Sequence, residues 1–168
     1  MELQNGRLES MPKLLLFGYG NPGRGDDALG PELIWRIAQL HLADVECQND
    51  MQLQVEHVTD LAACKRVLFI DADMSCAEPF DFSEISAEKD GSYTSHAMSP
   101  TALLHAYRQV YEKDAPPAFL LRIRGYDFEL GDPLSDKAAA NLEAATKLVV
   151  ELCTAVSLSI WRECLVNA

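Results

Sequence analysis

No apolar run in the chain approaches the roughly 20 residues that a helix needs to span a bilayer, so membrane insertion is not expected. The opening MELQNGRLES has no apolar stretch, and a secretory signal is therefore not expected either. Cysteine is sparse: Cys47, Cys64, Cys76, Cys153 and Cys164 make an odd number, and no two form C-x-x-C. That argues against a disulfide framework and against a zinc cluster. It fits reduced, mostly buried thiols in a reducing compartment such as the cytoplasm. Basic residues are also short. Lys and Arg number 14 against 26 Asp and Glu, a net charge of −12, and such a surface repels nucleic acid and anionic membranes. Internal repeats, low-complexity tracts and interdomain linkers are absent from the sequence.

What is present suits one soluble α/β domain. A chain of 168 residues, 48% hydrophobic and 24% charged, can bury a single core. Residues 1–11 read as a polar N-terminal extension and 12–168 as the domain. KLLLFG (13–18) and RVLFIDAD (66–73) are continuous apolar runs, the pattern of strands buried on both faces. VECQNDMQLQ (45–54) reads as a strand running into a loop, AFLLRIRG (118–125) as another strand, and the alternating FDFSEI (80–85) as an edge strand. ALGPELIWRIAQLHL reads as a helix with Pro31 in its first turn, and VEHVTDLAAC as a short one. Ser99 and Pro100 are the N-cap and first residue of a third. From Ser135 the spacing of Leu142, Ala145, Val149, Leu152, Val156 and Ile160 predicts one long helix. The order β-α-β-α-β-β-α-β-α predicts a three-layer α/β/α sandwich on a mostly parallel, mixed sheet of about five strands.

In open α/β sheets ligands bind beyond the carboxyl ends of the strands. Three segments bring suitable side chains there: GYGNPGRGDDALG (18–30) with Asp26 and Asp27, the end of LFIDAD with Asp71 and Asp73, and SHAMSP with His96. The first contains a literal G-x-G-x-x-G, which raises the possibility of a nucleotide-binding loop. Against that, Pro22 stiffens the loop, several residues intervene before the helix, and two carboxylates stand where a pyrophosphate would sit. The other reading takes the glycines as backbone geometry and the acids as the payload, although one of them could simply cap the helix. Two carboxylates and an imidazole from separate loops suit a divalent transition metal with coordination positions left open. His41, His57 and His105 lie on or beside predicted helices without an acidic partner at useful spacing, and read as surface or core residues.

LLLFGYGNPGRGDDALGPEL, VLFIDAD, SHAMSP and IRGYDFELGDPLS, in that order across about residues 12–155, resemble the endopeptidases that mature the large subunit of NiFe hydrogenases. The resemblance implies a mixed-sheet α/β/α fold and removal of a C-terminal extension from the nickel-loaded large-subunit precursor. Carried over, its metal-contacting and catalytic residues are Asp27, Asp71 and His96. Nickel would be supplied by the precursor rather than held permanently. Where many members carry a Pro-containing loop before the last helix, Tyr126-Asp127-Phe128 stands here. No Ser-His-Asp order or Cys-His pair at a nucleophile elbow is evident, which disfavours an acyl intermediate. A non-enzymatic metal-sensing docking module for hydrogenase assembly, a nucleotide-binding α/β protein and an unrelated small metallohydrolase are the alternatives.

Overall fold

The computed structural model describes residues 14–89, 98–155 and 157–165. The expected extension over 1–11 and the histidine at 96 lie outside them. Five strands form one sheet in the order β2-β1-β3-β5-β4: β1 Leu14–Tyr19, β2 Val45–Asp50, β3 Val67–Asp73, β4 Phe80–Ile85 and β5 Ala118–Arg124. The first four in that order are mutually parallel, and β4 closes one edge antiparallel to β5. Helices α1 Leu29–Ala38, α2 Val58–Ala62, α3 Pro100–Tyr111, α4 Asp136–Thr154 and α5 Leu158–Glu163 cover the two faces. The predicted three-layer sandwich and its mostly parallel mixed sheet are present.

The continuous apolar runs follow from this layering, because successive side chains of a strand point to opposite faces. Leu14 and Leu16 of β1, with Leu68 and Ile70 of β3, meet α1, α4 and Trp161 on one face. Leu15 and Phe17, with Val67 and Phe69, meet α2 and α3 on the other. Ser99 caps α3, its side chain accepting from Ala102 N–H with Pro100 just inside the helix. Ser135 caps α4, accepting from Ala138 N–H.

The long C-terminal helix differs from its sequence expectation. It ends at Thr154, Ala155 is extended, and a separate helix α5 starts after Ser157. Ile160, placed on the core face by the spacing, is exposed instead, and Trp161 is fully buried. The indole explains the break. It packs on Phe82 and Phe119, and its Nε1–H donates to the Leu152 and Ala155 carbonyls at 3.0 and 3.1 Å. A straight helix would leave that large side chain outside the core and those carbonyls without this donor.

Candidate functional site

The loop from β1 to α1 is wound tightly around its two acids. Gly20 has φ 145°, and a Cβ there would lie 2.2 Å from the Asp27 carbonyl oxygen. Gly25 has φ 53°, and its Cβ would lie 2.3 Å from the Asp127 carbonyl oxygen. Only glycine meets both demands. Asn21 fastens the turn, accepting from Gly23 N–H through Oδ1 at 2.8 Å and donating its own N–H to Asp27 Oδ2 at 2.7 Å. A short 3-10 turn, Gly25–Ala28, then leads into α1. The glycines thus close the loop on itself and on the 127 region, and the acids occupy the place where a phosphate would approach the helix.

Asp26 and Asp27 have separate environments. Asp26 is fully buried. Its carboxylate accepts from Tyr126 N–H, Asp127 N–H, Ser135 N–H and Ser135 Oγ–H at 2.7–3.0 Å. Burial alone would raise its pKa, but these donors from Ser135, Asp127 and Tyr126 outweigh it and hold the carboxyl below its usual value. Asp26 therefore ties the acid loop to the β5–α4 loop and is occupied in doing so. Asp27 is half-buried, and Asn21 N–H is the donor to its carboxylate.

Asp71 lies in the final third of β3 on the same sheet face as Phe69. The β1–β3 register pairs Gly18 with Ile70, so Tyr19 falls beside Asp71 on that face. The Tyr19 hydroxyl donates to the Asp71 carboxylate, and burial together with that negative neighbour pushes the phenol well above its ordinary value. Burial pushes the Asp71 carboxyl up to about 7; the Ala72 N–H, at 2.8 Å, pulls the other way, and the charge of Asp27 adds to the rise. The structure thus brings Asp27 and Asp71 within electrostatic reach of each other at the carboxyl edge of the parallel strands. Next to them, Arg122 pairs with Asp73 at 3.3 Å and Asp81 at 2.9 Å, which leaves Asp73 committed to an ion pair.

The third predicted ligand, His96, lies outside the described residues. The chain is described again at Met98, whose N–H donates to the Leu53 carbonyl at 3.1 Å. Among the described residues no group of three or more His, Cys, Asp or Glu is arranged to hold a metal ion. His57 departs from its sequence reading, for it does have an acidic partner. Nε2 lies 3.0 Å from Asp50 Oδ2, Nδ1 accepts from Gln54 N–H at 2.9 Å, and the ring packs edge-on against Phe17. The pair is seven residues apart, and the turn after β2 folds it together.

No protein-family model and no curated protein sequence matches the chain. Solved structures do. The NiFe-hydrogenase maturation protease HycI from Thermococcus kodakarensis KOD1 superposes with a TM-score of 0.67 at 20% identity, over 91% of this chain and 99% of its own. The hydrogenase maturating endopeptidase HybD from E. coli gives a TM-score of 0.65 at 19% identity, over 83% and 91%. The hydrogenase 2 maturation peptidase from Thaumarchaeota archaeon SCGC_AB-539-E09 gives 0.61 at 23%, over 84% and 98%. This chain has the fold of hydrogenase maturation proteases. No helix among its described residues is long and apolar enough to cross a membrane.

Two participants escaped the sequence reading. Tyr19 reads in sequence as part of the glycine loop; only the extension of β1 to Tyr19 and the β1–β3 register, which sets it beside Asp71, reveal it. The Asp50–His57 pair would have required knowing that the turn after β2 closes. The five cysteines are free, two of them buried and three half-buried. Burial pushes Cys64 and Cys153 up to about 12 and raises Cys47 and Cys76. These four thiols stay protonated near neutral pH, which suits structural thiols rather than nucleophiles.

Proposed function

We propose that the protein is an endopeptidase that removes a C-terminal extension from the nickel-loaded large-subunit precursor of a NiFe hydrogenase. The observation that carries the reading is the approach of Asp27 and Asp71 at the carboxyl edge of a fold shared with maturation proteases. In this reading nickel belongs to the substrate. Asp27, Asp71 and His96 contact the ion held in the precursor, and that contact sets the scissile bond beside the acids. Hard carboxylate oxygens with an imidazole suit such a divalent ion.

In the free protein burial holds the Asp71 carboxyl up at about 7; a cation beside it favours the carboxylate, which can then accept a proton. It accepts one from the water whose oxygen attacks the scissile carbonyl carbon. It returns one to the amide nitrogen as the carbon–nitrogen bond breaks. Tyr19 holds the Asp71 carboxylate through its hydroxyl, and Asp26 holds the loop that carries Asp27. The protonated thiols give no support to a covalent route. Five free cysteines fit the cytoplasmic location that this reading carries with it.

Intact mass of a nickel-loaded large-subunit precursor from the same host, after incubation with the protein, tests the proposal. The expected result is loss of one defined C-terminal peptide, dependent on nickel and abolished by Asp27→Asn and by Asp71→Asn. An unchanged mass with a precursor that demonstrably binds would replace the protease with a metal-reading docking module.

A further inference from the structure

Eight large apolar side chains are markedly exposed among the described residues. Trp35, Leu40, Val110 and Ile160 are scattered on or just beyond α1, α3 and α5, as single exposed apolar residues commonly are. The other four share one edge. Met51 and Val55 follow β2, Met74 follows β3, and Leu130 lies on the loop after β5; they are 56%, 50%, 62% and 78% exposed. Because β2, β1, β3 and β5 run parallel, all these loops leave the same end of the sheet. The loop after β1, between them, carries Asp27. From β2 to β5 is three strand spacings, about 15 Å.

The loops holding these side chains are fastened. Asp50 Oδ1 accepts from Met51 N–H at 2.7 Å, and Asp73 Oδ1 accepts from Ser75 N–H at 2.7 Å. Gly131 N–H donates to the Gly23 carbonyl at 2.8 Å, which folds the Leu130 loop back on the acid loop. Cavities of about 360 and 370 Å³ lie elsewhere, one lined by Leu14, Arg66 and Trp161, the other by Ile37, His41 and Cys47. Neither includes the acids or the four apolar residues.

We propose that Met51, Val55, Met74 and Leu130 form an apolar rim around Asp27 and Asp71 that docks a partner polypeptide by an apolar surface surrounding its bound divalent cation. The inference rests on the proposed function and identifies how the substrate is held. Charge complementarity selects the occupant. Two adjacent carboxylates at the centre favour a cation there, and the net charge of −12 disfavours a polyanion such as nucleic acid. Burying these four exposed side chains against an apolar surface removes non-polar area from water around the charged centre, and that burial holds the partner. The two methionines supply side chains that adapt to an irregular surface.

The test compares wild type with Met51→Gln/Met74→Gln and with Leu130→Ser, using Trp35→Ser as an off-edge control. Each variant is checked for an unchanged melting temperature, and binding and cleavage of the nickel-loaded precursor are then measured. The rim predicts KM and Kd raised at least tenfold for the double variant, with kcat within about twofold of wild type and Trp35→Ser unaffected. Wild-type KM and Kd in both rim variants would overturn the rim while leaving the protease intact. If wild type binds without cleaving and the double variant loses binding, the rim stands and the protease reading falls. Absence of wild-type binding, or a wild-type dimer that the rim substitutions make monomeric, overturns the inference.

Discussion

Asp26 is fully buried with four donors on its carboxylate, whereas its neighbour Asp27 stays half-open at the sheet edge. Asp26→Ala strands three backbone N–H groups and a hydroxyl, and is expected to cost about 3 kcal/mol or more in a urea melt. Its carboxyl is held below the usual value, so its stabilisation is present above pH 4 or so and fades as pH falls through the lowered folded value. Asp71 has the opposite sign. Its pKa rises from the usual 3.8 to about 7, so between those values the folded state keeps a proton that the unfolded chain has released. Stability therefore falls as pH rises across that window. Asp71→Asn removes the charge and leaves an oxygen for Ala72 N–H. It is expected to be more stable than wild type at pH 8 by of order 1–2 kcal/mol, screening of a half-buried group included, and indistinguishable at pH 4. Thermal melts at the two pH values check this, and a destabilised Asn variant at pH 8 would contradict it. Two adjacent acids in a glycine loop look alike in the sequence. What separates them is the β5–α4 loop, about a hundred residues away, which supplies every donor to Asp26.

At the scale of elements, α5 exists because Trp161 needs the core. Phe82, Phe119 and the C-terminal end of α4 surround it, and the guanidinium of Arg66 lies over its ring. Trp161→Phe keeps an aromatic ring but loses the donor to the Leu152 and Ala155 carbonyls, for an expected loss of about 1–2 kcal/mol. Trp161→Ala adds a cavity and is expected to cost about 3–5 kcal/mol. Denaturant midpoints of the two variants should fall in that order; equal midpoints would show that the indole N–H contributes nothing. The strands, α1 and the start of α3 were legible because their signals are local: apolar runs, a Ser-Pro cap, three- and four-residue spacing. The break after Thr154 was not legible. A 3.6-residue repeat continues to fit whichever way the chain turns, and only the volume available beside β4 and β5 decides where Trp161 goes.

Across the whole molecule, protection should follow the layers. β1 and β3 lie inside the sheet with both faces covered, whereas β2 and β4 are edges. Amide hydrogen exchange is therefore expected to be slowest in 15–17 and 68–70 and faster by at least an order of magnitude in β2 and β4. Equal protection in β2 and β1 would contradict this layering. The same arrangement leaves the carboxyl edge of the parallel strands to its loops, which carry Asp27 and the exposed methionines beside Asp71 of β3. Side chains there are not consumed by the core, which is why both the candidate chemistry and the proposed docking rim sit on that edge.

Residue order and polarity were enough to specify the layered α/β sandwich, the parallel core strands and the placing of Asp27 in the loop after β1 and of Asp71 late in β3, because periodicity and capping act over a few residues. Folding in three dimensions added what depends on distant segments. The β1–β3 register sets Tyr19 against Asp71, the turn after β2 joins His57 to Asp50, and the loop at 126–135 encloses Asp26. Burial and neighbouring charge then bring the Asp71 pKa near neutral. These are effects of proximity, and proximity between residues far apart in sequence is set by packing rather than by local pattern.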